Sequence, residues 1–164
     1  MTVHEFELFH GIVLTKLARS ERPITLRMIE TRPTEAWSAY TLNDEVDLYV
    51  KYSTTPRAVT RGEEGKSWSF TFGTDELNQM QQSIARRQTY ITLVAGSRDT
   101  KADFMQVCLL YPTEICELID FRSSNQQTLT IKHIPRKKIR VIKDRRKKFL
   151  IAQNRLEQWD VPCS

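Results

Sequence analysis

The strongest constraint on this chain's fold comes from two strand-like segments, Trp37–Leu42 and Val46–Tyr52, on either side of the turn-forming pair Asn43-Asp44. Asn and Asp tolerate the left-handed backbone that a tight reversal needs, so these segments are predicted to pair as a β-hairpin. Other stretches share the two-residue period of a strand. Ile24–Glu30 alternates apolar and polar residues, as a half-buried strand does, and Trp68, Phe70 and Phe72 point to one side with Ser69 and Thr71 on the other. Tyr90–Ala95, Phe104–Tyr111, Leu129–Ile134 and Lys138–Ile142 complete the expected strands.

Helical spacing appears four times. Phe6, Phe9, Val13 and Leu17 recur every three or four residues and predict a helix over 3–19, with Gly11 marking a break or a close packing contact near His10. Thr74 is expected to cap a second helix that begins with Asp75-Glu76 and buries Leu77, Met80 and Ile84. Pro112-Thr113-Glu114 opens a short third helix through Ile115, Leu118 and Ile119. Phe149, Ala152, Leu156 and Trp159 place a fourth helix at about 146–159. Thr54–Lys66 contains Pro56, Gly62 and Gly65 and few apolar residues, and is expected to be a surface loop.

Strands and helices are thus mixed without strict alternation. The expected fold is α+β, with one mixed, mainly antiparallel sheet of six to eight strands and about four helices. A length of 164 residues fits a single domain over 1–164. No apolar run approaches the roughly 20 residues of a membrane-spanning helix. Glu5 and Glu7 also stand where a secretory leader would be basic, so a cytoplasmic protein is expected.

Catalytic signatures are sparse. His4, His10 and His133 have no metal-ligand spacing, the five glycines form no phosphate loop, and no local nucleophile motif occurs. No cofactor or metal ligand is assigned. Cys108 and Cys116 lie in apolar segments and read as small buried hydrophobes. The order helix, strands, helix, strand over residues 3–95 resembles the restriction-endonuclease-like nuclease fold. That resemblance implies an acid near the start of one strand and Glu-x-Lys or Asp-x-Lys on the next, to hold a divalent ion and assist the attacking water. The strand Trp68–Phe72 departs from this pattern, having neither acid nor Lys. On the hairpin, Asp47, Tyr49 and Lys51 share the face opposite Val46, Leu48, Val50 and Tyr52. With Glu45 or Glu30 as a second ligand this face is compatible with a nuclease site. The simpler expectation is that it is the solvated side of an amphipathic strand.

Charge gives the clearest functional signal. Between Arg136 and Arg155 stand ten Lys or Arg and one acid, Asp144, so this segment carries +9 while the whole chain carries +5. Positive charge is therefore localised, as expected for a polyphosphate partner, whose condensed counterions are released on binding. Arg136, Lys137, Lys138, Arg140, Lys143, Arg145, Arg146, Lys147 and Lys148 are the candidate nucleic-acid-binding residues. The expectation is a non-catalytic or catalytically degenerate protein that binds nucleic acid non-specifically through this segment. A metal-dependent nuclease is one alternative. The other is an interaction module in which the final helix, with Leu156 and Trp159, docks on a protein partner or a second copy.

Overall fold

The computed structural model describes residues 4–58, 65–97, 105–144 and 147–162. Helix α1 (Glu5–Ala18) leads into an antiparallel meander of β1 (Leu26–Arg32), β2 (Trp37–Leu42) and β3 (Val46–Ser53). The reversal between β2 and β3 forms as expected, with Asn43 at φ 54° and Asp44 at φ 55°. A short β4 (Arg57–Ala58) and β5 (Lys66–Phe72) follow, then α2 (Thr74–Arg86), β6 (Gln88–Ala95) and β7 (Gln106–Leu110). Helix α3 (Pro112–Leu118) and strands β8 (Gln127–His133), β9 (Ile139–Ile142) and β10 (Lys148–Ile151) complete the element order.

The ten strands among the described residues divide into two sheets of five. The first has the order β1-β2-β3-β6-β7, with β6 parallel to β3 and every other pair antiparallel. The second, β10-β9-β8-β5-β4, is antiparallel throughout. The α+β class therefore stands, while the single expected sheet is two sheets, with three α-helices among the described residues.

The inner strands of the first sheet are covered on both faces, so that β2 and β6 are buried nearly throughout. One face contributes Trp37, Tyr49, Ile91 and Leu93 to a core that the second sheet closes with Trp68, Phe70, Phe72, Leu129 and Val141. The other face packs Tyr40, Leu48 and Val50 against Phe9, Val13 and Leu17 of α1. Helix α1 runs unbroken through Gly11.

Further expectations are corrected. Thr74 is the first residue of α2, whose cap is Gly73. The stretch 54–66, expected to be a loop, contains β4 and the first residue of β5, and its residues 59–64 lie outside the described residues. Among the described residues the helix expected over 146–159 is absent: Lys148–Ile151 form β10, where Phe149 pairs with Val141 and Ile151 with Ile139. Cations at a helix N-terminus oppose the dipole, whereas the alternation of Phe149 and Ile151 suits a strand. Leu156 and Trp159 are buried against the α1 side of the first sheet, so the helix that was to dock on a partner is absent and its anchors are used internally. Next, β1 is an edge strand whose Leu26, Met28 and Ile29 are exposed, so the expected half-buried alternation is absent, and its register shifts between Met28 and Glu30. Lastly, Cys116 is exposed, since Ile115 and Leu118 occupy the inward face of α3; Cys108 is buried as expected.

Candidate nucleic-acid interface

The inward turn of Trp68, Phe70 and Phe72 forces Ser67, Ser69 and Thr71 to the opposite face of the second sheet. The same alternation on β8 buries Leu129 and Ile131 and turns Thr128, Thr130 and Lys132 outward. On β9 it turns out Arg140 and Ile142, and on β10 Lys148 and Leu150. Strand register sets these side chains in rows. Arg57 pairs with Ser67, Ser67 with Lys132, Lys132 with Arg140 and Arg140 with Leu150, giving one row across all five strands. The next row runs Ser69, Thr130, Ile142 and Lys148. None of these outward residues is buried.

The five strands of this sheet contain no Asp or Glu. Among the described residues, Arg57, Lys132, Arg140 and Lys148 join none of the ion pairs. The face thus presents cations and hydroxyls, with Ile142 and Leu150 beside them, and no compensating carboxylate from its own strands.

The predicted basic run is divided by the fold. Arg140 and Lys148 lie on the outward face, and Arg136, Lys137 and Lys138 are exposed in the β8–β9 connection, beside the row of Lys132 and Arg140. Arg136 adopts a left-handed conformation there, at φ 65°. Lys143 and Lys147 turn elsewhere. Lys143 donates to the side chain of Gln127, and burial lowers its pKa, with Lys147 adding to this and Asp120 and Asp144 opposing it. Lys147 donates to the Glu117 carbonyl at 3.0 Å. Arg145 and Arg146 lie outside the described residues. Arg155 belongs to the interior framework: its guanidinium is 2.7 and 2.8 Å from the carboxylate oxygens of Glu114 and lies over the Tyr111 ring.

Two cations on the face, Arg57 and Lys132, escape a search for charge runs because each stands alone in sequence. Their signal is positional. Lys132 extends the outward series Thr128 and Thr130, while Arg57 reaches the row only through the β4–β5 pairing.

The second polar group of interest lies inside the protein. Asp47, Tyr49 and Lys51 do share one face of β3, but that face is buried, contrary to the expected solvated side, because α2 and the second sheet cover it. Lys51 places its ammonium 2.9 and 3.0 Å from the carboxylate oxygens of Glu76 on α2 and 3.3 Å from the Glu35 carbonyl. Burial raises the Glu76 pKa, and the charge of Lys51 pulls it partly back. Asp47 accepts a hydrogen bond from Thr41 at 3.0 Å and lies 3.6 Å from Arg87. The Tyr49 hydroxyl has no hydrogen-bond partner, and its pKa is pushed up by burial and by the charges of Glu76, Glu30 and Asp47.

Four residues of strand separate Asp47 from Lys51 by about 13 Å along the backbone. Glu30 bonds Arg32, and Glu45 is exposed beside the hairpin turn. Among the described residues, no three His, Cys, Asp or Glu are grouped so as to hold a metal ion. Glu76 is the participant that sequence reading missed as a counterion. It precedes Met80 and Ser83 at helical spacing on the buried side of α2, a position that needs a charged partner.

Comparison of the chain with protein-family models, curated proteins and solved structures finds no match to any of them.

Proposed function

We propose that this chain is a nucleic-acid-binding protein whose contact surface is the outward face of the second sheet, and that it does not catalyse a reaction there. The observation that carries this reading is the row Arg57–Ser67–Lys132–Arg140–Leu150 with Lys148 in the row beside it, on strands that contain no acid. Arg136, Lys137 and Lys138 extend the positive field at one end. Phosphates accept hydrogen bonds and release condensed counterions when neutralised, so such a surface gains affinity without reading bases.

Breadth supports the same reading. Five strands spaced at about 4.8 Å span roughly 19 Å, too wide for a major groove of about 12 Å that admits a helix or a two-stranded ribbon. The face therefore lies across the backbone. The deciding experiment titrates the protein against labelled duplexes of unrelated sequence at rising salt. Equal affinities that fall linearly on a log–log plot are expected. Absence of binding at low salt, or strong preference for one sequence, overturns the proposal.

A further inference from the structure

Resting on that reading, we infer that the preferred partner is double-helical RNA, recognised through its phosphates and 2′-hydroxyl groups. Unpaired strands are commonly held by stacking bases on aromatic side chains. The outward face offers none, because Trp68, Phe70 and Phe72 of β5 are all turned into the core. What stands among the cations instead is hydroxyl groups. Those of Thr71 and Thr128 bond each other at 3.1 Å, whereas those of Ser67, Ser69 and Thr130 have no hydrogen-bond partner among the described residues.

Phosphate oxygens only accept, and Arg57, Lys132, Arg140 and Lys148 already supply donors for them. A serine or threonine hydroxyl both donates and accepts. The acceptor half finds a use on a ribose 2′-hydroxyl, which DNA lacks. A-form RNA displays these groups in a wide, shallow minor groove that a broad, shallow protein surface can meet without penetrating it. The three free hydroxyls occupy adjacent strands of the same two rows as the cations, so phosphate and ribose contacts can form together.

The test compares short double-stranded RNA, double-stranded DNA of the same sequence and single-stranded RNA, for the parent chain and for Ser67→Ala/Ser69→Ala/Thr130→Val. The parent should bind the RNA duplex about tenfold tighter than the DNA duplex, as one or two net hydrogen bonds supply. The triple variant should lose most of that difference, its affinity for the RNA duplex falling several-fold more than its affinity for the DNA duplex. Equal affinity of the parent for both duplexes, a preference that survives the triple substitution, or tighter binding of single-stranded RNA overturns this inference and leaves general nucleic-acid binding in place. Failure to bind any of the three at low salt overturns the reading beneath it. The parent duplex comparison decides the matter even if the variant folds poorly.

Discussion

Lys51 and Glu76 form an ion pair at 2.9 Å with both side chains almost wholly out of solvent, joining the middle of β3 to the first turn of α2. Removing one charge strands the other in a low-dielectric interior. Lys51→Met is expected to cost about 3–5 kcal/mol in urea unfolding, while Lys51→Met/Glu76→Leu should recover much of that loss. A double variant no more stable than the single one contradicts this account of the pair.

His10 provides a pH dependence. Its ring is buried among Phe6, Tyr40 and Tyr52, neither nitrogen has a partner, and burial lowers its pKa to about 4. The unfolded chain takes up the proton near pH 6.5, before the folded one does. The contribution of neutral His10 is thus complete above about pH 6.5 and is lost as pH falls toward 4, by up to roughly 3 kcal/mol. Comparing unfolding of the parent and His10→Phe between those pH values isolates it from the carboxylates. The parent should lose more stability on acidification, and parallel curves refute the assignment.

Two glycines should respond in opposite directions to alanine. A methyl group at Gly11, in the middle of α1, meets nothing within 4 Å, so Gly11→Ala should stabilise by about 0.5–1 kcal/mol. At Gly96 the methyl runs into the Phe9 ring, and the Gly96 carbonyl accepts the Trp68 indole N–H at 2.8 Å. Gly96→Ala should therefore destabilise by about 1–3 kcal/mol. Thermal melts check both, and a shift of the same sign in the two variants is the contrary result.

The local architecture was legible where two signals agreed. Asn43-Asp44 between strand-like segments gave the hairpin, and Trp68, Phe70 and Phe72 announced their own burial through alternation. The last segment was misread because Phe149, Leu156 and Trp159 satisfy helical spacing while serving different structures: Phe149 lies in the second sheet and the other two pack near α1. Burial was encoded, but not the element that achieves it. Likewise, the charge run from Arg136 to Lys148 marked the region, while its division between the sheet face and the Gln127 and Glu117 contacts depends on register. The partnership of Lys51 with Glu76 crosses 25 residues and becomes visible only when α2 packs over β3.

The assignment of function to one sheet face is tested most directly by two sets of glutamine substitutions compared for salt dependence. The first set replaces Arg57, Lys132, Arg140 and Lys148, which lie on that face, and the second replaces Lys143 and Lys147, which turn away from it. Measured on duplex nucleic acid with folded variants, the first set should weaken binding to all sequences alike. It should also flatten the slope of log affinity against log salt by up to about 0.9 for each lost phosphate contact. The second set should leave affinity and slope close to the parent's. An unchanged slope in the first set, or a larger effect from the second, contradicts the assignment.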